Sequence, residues 1–193
     1  MSEKSSMKNN AKKNKITAKD IALIGMMIAV IEVSKFALAQ VPNVELTTFW
    51  IIMFTLYLGN RIFYVIPAFI LIEGAVYGFH VWWVMYLYAW PLLAVCAMMM
   101  RKKNTYFGCT ILSGVFGLLF GLLCSIPYIF IGALGMGEYE AGFMNGFRTA
   151  FTWWVAGIPF DLIHGIGNLV IMLVLYYPVT KAMQMASKIV EKE

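Results

Sequence analysis

Residues 81–100 and 106–131 of this chain contain no charged side chain, and residues 46–79 contain only Arg61 and Glu73. A soluble domain would need a polar coat over such segments, and this chain lacks one: 61% of its residues are hydrophobic and 13% charged, with a mean hydropathy of +0.76. In a bilayer the same segments have a suitable length, because a helix of about 20 apolar residues spans the hydrocarbon. The expected fold is therefore all-α, an integral membrane bundle of six transmembrane helices with both termini cytoplasmic. Residues 1–16 are expected to form a disordered basic cytoplasmic tail, and residues 17–193 the transmembrane domain.

The boundaries follow from breakers and charge. A first span over 17–39 ends at Val41-Pro42-Asn43, since proline pushes its predecessor out of helical geometry, and a loop follows at 40–45. A second and a third span fill 46–79, broken at Gly59-Asn60-Arg61, with Pro67 tolerated where neighbours satisfy the freed carbonyl. The fourth covers 81–100 and stops at Arg101-Lys102-Lys103. A fifth covers 106–131. After a polar, four-glycine segment at 132–145, a long sixth covers 147–181, where Pro159 is expected to kink it.

The lysine-rich start, the apolar run at 21–31 and Ala37-Leu38-Ala39 imitate a cleavable signal peptide. Glu32 and Lys35 interrupt that pattern, so the first span is expected to stay attached. The formal net charge of +5 raises nucleic acid as a partner, but six lysines precede Ile21 and most other basic residues flank apolar segments. Membrane topology accounts for them. With the N-terminus inside, the tail, Arg61, the 101–103 run, Lys181, Lys188 and Lys192 all fall on the cytoplasmic side. Cys96, Cys109 and Cys124 show neither disulfide nor zinc spacing and read as small core residues. No internal repeat is evident, which counts against a transporter of inverted halves.

Polar groups at membrane depth are costly, and each is a candidate for function. Asp161, His164 and Asn168 share one face of the sixth span and form a stripe suited to line a cavity; Asp161 and His164 pairing with each other or a neighbour is the competing account. Glu32 and Lys35, three residues apart, can neutralise one another or face the cavity. Glu73 is another possible wall. Trp82, Tyr86 and Trp90 recur every fourth residue on the fourth span, with Trp153 and Trp154 on the sixth. The outer tryptophans also suit a membrane-interface belt, whereas aromatics facing inward would make a stacking surface for a flat ring. Small residues form two further stripes: Ala22, Gly25 and Ala29 on the first span, and Ser113, Gly117, Gly121 and Ser125 on the fifth. Such stripes allow close helix approach.

No glycine-rich phosphate loop, HExxH or nucleophile elbow occurs, so no enzymatic activity and no cofactor are expected. Asp161 and His164 alone make a poor metal site, lacking a third and a fourth ligand.

The size, the six inferred spans, Gly25-x-x-x-Ala29, the following PNVELTT segment and FDLIHGIGN in the sixth span together resemble the substrate-binding S components of energy-coupling factor (ECF) transporters. The resemblance covers the chain from Thr17 onward. It implies a multi-pass subunit of a prokaryotic cell membrane that captures a vitamin or related micronutrient from outside for ATP-driven import. It further implies that Asn43 and Glu45 belong to a lid, that Trp82, Tyr86, Trp90, Trp154, Asp161 and His164 wall the site, and that Ala22, Gly25 and Ala29 dock on a membrane subunit driven by two ATPases. Gly25 and Ala29 stand where the family carries an alanine-rich motif. Import would then proceed by toppling of the whole bundle within the membrane. An aromatic cavity with a carboxylate and a histidine suits a nitrogenous ring compound. Two other classes also fit the residues: an autonomous small-solute transporter or channel, and an intramembrane enzyme using Asp161 and His164.

Overall fold

A computed structural model describes residues 16–103, 105–136 and 140–191, and among them the only regular structure is helical. The expected N-terminal tail lies almost wholly outside the described residues. Among the described residues seven α-helices follow in order: α1 (Ala18–Ala37), α2 (Thr47–Leu58), α3 (Ile62–Tyr77), α4 (Val81–Met100), α5 (Tyr106–Leu118), α6 (Phe120–Ala133) and α7 (Phe143–Glu191). Short 3-10 turns, Gly59–Arg61 and Arg101–Lys103, follow α2 and α4.

Local chemistry explains the helix ends. Thr17 and Asp20 form a capping box at the start of α1, the Thr17 hydroxyl accepting from the Asp20 amide while the Asp20 carboxylate accepts from the Thr17 amide. Thr105 caps α5 by accepting from the Gly108 amide at 3.0 Å. Gly59 ends α2 with φ +62°, a conformation that disfavours side chains, and the Arg101 guanidinium lies 2.6 Å from where a Cβ would stand. The break expected at 59–61 is thus a turn that also makes room for a cation.

Contacts fix the direction of each helix. Arg61 Nε donates to the Asp20 carboxylate at 2.7 Å, and Arg101 Nε to the Leu56 carbonyl at 3.0 Å. The start of α1, the turn after α2 and the end of α4 therefore gather at one end of the bundle. At the other end, Lys35 of α1 pairs with Glu73 of α3 and approaches the Tyr86 hydroxyl of α4 at 3.5 Å. So α2 descends and α3 returns. Among the described residues four helical stretches are long and apolar enough to cross a membrane: Thr47–Tyr77, which joins α2 and α3 through their turn, Val81–Lys103, Tyr106–Ala133 and Phe143–Met185. α1 carries Lys19, Asp20, Glu32 and Lys35 within its 20 residues, a higher density of charge than in these four.

The core is centred on α2. Thr47, Thr48, Phe49, Ile51, Ile52 and Met53 are all buried, so this helix is enclosed on every side rather than amphipathic. Phe69, Trp90, Leu93 and Met172 close around it. The outside is apolar too, with Leu71, Val76, Phe107, Phe130, Phe151 and Val174 exposed. A surface of this kind suits lipid as solvent.

Two expectations need revision. The fifth span is interrupted at Leu119 (φ −95°, ψ 0°), giving α5 and α6 instead of one helix. The sixth begins at Phe143 and continues through Pro159 and Pro178 to Glu191, longer at both ends than expected. α7 packs along both α5 and α6, and that tertiary contact carries it past residues whose local preference favours an end.

Candidate functional site

The interruption between α5 and α6 creates the centre of the site. Starting a new helix at Phe120 frees the first amides of α6 from intrahelical bonding. The buried carboxylate of Asp161, on α7, accepts from the Gly121 amide at 2.8 Å and so satisfies one of them. A Cβ at Gly121 would lie 2.3 Å from Asp161 Oδ2, so only glycine permits this approach. We expect Gly121→Ala to displace the carboxylate and cost about 1–3 kcal/mol, lowering the melting midpoint in detergent. Gly25→Ala, where nothing lies within 4 Å, should leave it unchanged or slightly higher. Equal melting of both variants would refute the contact.

Asp161 and His164 do not hydrogen-bond to each other. The imidazole of His164 meets the edge of Phe120, with ring centroids 5.0 Å apart, and its Nε2 lies 3.7 Å from Glu45 Oε1. Glu45 is steadied from the other side, its second oxygen accepting from the Thr47 hydroxyl at 3.2 Å. The loop between α1 and α2 thereby rests on α7, with Val44 against Gly167. Asn43 adopts φ 59° within that loop, the one non-glycine positive φ among the described residues. Asparagine tolerates this conformation better than most side chains do.

Under the loop lie two adjoining hollows. The larger, about 510 Å³, is bounded by Asn43, by Trp82 and Tyr86 of α4, by Phe120 and Tyr128 of α6, and by Trp153 and Asp161 of α7. The smaller, about 300 Å³, shares Asn43, Tyr86, Phe120 and Asp161 and adds Lys35, Glu45 and His164. Both volumes fall in the range of small-molecule sites. Tyr128 and Trp153 stack with centroids 4.6 Å apart, and Trp82 meets Tyr86 edge-on at 5.2 Å. Asp161 Oδ2 has no hydrogen-bond partner, nor does His164 Nε2.

Of the residues singled out from the sequence, Asn43, Glu45, Trp82, Tyr86, Asp161 and His164 converge on these hollows. Four others do not line them. Trp154 borders a separate groove between α6 and α7 with Leu122, Phe147 and Phe151, because adjacent helical residues point about 100° apart and Trp153 takes the inward direction. Trp90 is fully buried beneath Tyr86 and Phe120, at 5.3 and 5.4 Å between centroids. Asn168 is buried one turn below His164, its amide atoms unpartnered, against Gly117. Glu73 is buried and holds Lys35. Lys35 therefore pairs with Glu73 of α3, not with Glu32 on its own helix. Phe120 and Tyr128 line the larger hollow as well, and no local pattern in the sequence connects them to it, whereas Trp153 is one of the pair the sequence offers for an inward-facing surface.

The small-residue stripe on α5 and α6 packs inward. Gly114 faces Leu169, Gly117 faces Gly165, and the Ser113 hydroxyl donates to the Asn168 carbonyl at 3.3 Å. Ala22, Gly25 and Ala29 on α1 are exposed instead.

No family model matches this chain, and neither the curated proteins nor the solved structures contain a significant match.

Proposed function

We propose that this chain is the substrate-binding membrane subunit of an ECF-type importer, an S component that captures a ring-bearing vitamin or related micronutrient outside a prokaryotic cell. The observation that carries the reading is the pair of loop-covered hollows in which Asp161, His164 and Tyr86 meet among aromatic side chains. The sequence resemblance supplies the family. In this reading α1, α2, α3, α4, α5 with α6, and α7 make six crossings. The end that gathers Asp20, Arg61 and Arg101 is cytoplasmic, as the excess of basic residues there favours. Both termini then lie inside, and the hollows face outward. α2, with 12 residues, is short for a full crossing at about 1.5 Å per residue, but its burial within the bundle removes the need to match lipid.

Capture fits better than conduction. Trp90 and Met172 are fully buried and Phe116 nearly so, which makes the bundle closely packed around them. In this reading energy comes from a partner, and the exposed Ala22, Gly25 and Ala29 offer a surface that permits close helix approach. Pull-down of the tagged chain from its native membranes should recover a transmembrane subunit with two ATPases. Gly25→Leu should abolish that recovery without changing the melting midpoint. ATP-independent uptake by liposomes containing this chain alone would overturn the proposal in favour of an autonomous transporter.

A further inference from the structure

Charge around the hollows does not cancel. Among the described residues Lys35 is the one basic side chain bordering either hollow besides His164, and its ammonium is already committed. It pairs with the buried Glu73 and sits over the rings of Phe69, Tyr77 and Tyr86 at 5.6, 5.7 and 5.3 Å. Two carboxylates remain, Asp161 and Glu45, facing one imidazole. Asp161 is 7% exposed, one oxygen held by Gly121 and the other without a donor. A buried carboxylate oxygen lacking a partner is costly, and the aromatic faces beside it attract positive charge. An anion would meet the opposite: among the described residues no unpaired ammonium or guanidinium borders the hollows, and the carboxylates of Asp161 and Glu45 do.

Resting on the capture reading above, we infer that the hollow selects a flat-ringed cation, an aromatic or heteroaromatic group bearing a protonated nitrogen, whose N–H donates to Asp161 Oδ2 while its ring lies among Trp82, Tyr86 and Trp153. The positive charge falls in the hollow that Asp161 and Glu45 both border. Phosphorylated or carboxylated ring compounds are disfavoured by the same arrangement. Ring stacking sets the plane of the ligand, and Asp161 sets which edge points inward.

Two probes of matched shape and opposite charge, 2-naphthamidine and 2-naphthoate, test this by titration calorimetry on the full chain in detergent. The amidine is expected to bind at least about tenfold more tightly than the carboxylate, as a charge-assisted hydrogen bond requires. Asp161→Asn, which keeps an acceptor for the Gly121 amide, is expected to weaken amidine binding about tenfold or more with little change in melting. Should that variant unfold, Glu45→Gln on the loop gives a second reading of the same sign. Binding of naphthoate as tightly as naphthamidine would overturn the charge selection and leave capture intact. If neither probe binds, and denaturing the purified protein releases no small molecule, both proposals fall.

Discussion

Trp90→Ala is expected to lower stability by roughly 3–5 kcal/mol, with a melting midpoint far below that of the wild type in detergent. The indole is fully buried and touches four other rings, those of Phe69, Tyr86, Phe116 and Phe120. Removing it leaves a cavity that close-packed neighbours on several helices can fill only in part. Tyr86 and Phe120 rest on this ring and border the hollows, so ligand affinity should fall as well, through loss of support rather than loss of contact. Trp90→Phe separates the two effects. It retains most of the packing and removes an indole N–H that has no acceptor, so it should cost far less. If the alanine variant melts like the wild type, Trp90 does not support Tyr86 and Phe120 from beneath.

Lys35→Met should be nearly as damaging. Glu73 is 1% exposed and Lys35 is its ion-pair partner, and removing one member of a buried pair costs about 3–5 kcal/mol because the other charge is left uncompensated. The double variant Lys35→Met, Glu73→Leu removes both charges and is expected to recover most of that loss. A double-mutant cycle in thermal melting checks the prediction. Additive losses would mean that the two residues act separately. Glu32, the partner nearest in sequence, lies in the same cluster and should couple to Lys35 more weakly than Glu73 does.

Much of the site was legible because desolvation leaves so few reasons for a polar group at this depth. Asp161 and His164 stand out in an apolar helix, and Trp82 and Tyr86 share a face at four-residue spacing. The same logic failed where direction mattered. Trp153 and Trp154 are equal in the sequence, and only the rotation of α7 against α6 decides which one enters the hollow. Glu73 is a fair candidate by depth, yet a cation from another helix pairs with one of its oxygens. Gly121 read as packing because a glycine at four-residue spacing looks the same whether its neighbour is a methyl group or a carboxylate.

The break at Leu119 teaches the converse. Nothing in residues 106–131 signals a helix end: there is no charge, and the one proline, Pro127, lies further on. The interruption is sustained because Asp161, forty residues away, accepts the amide that it frees. Within lipid a broken helix without such a partner would leave unsatisfied backbone groups at high cost.

By itself the sequence determined the solvent, the helical class and most helix boundaries, since these depend on hydropathy, proline, glycine and charge summed over neighbouring residues. Tertiary structure alone decided the partner of Lys35, the interruption of the helical stretch that became α5 and α6, and the membership of the aromatic wall. Those outcomes depend on how helices rotate and approach one another, and that relation is set by packing between segments distant along the chain.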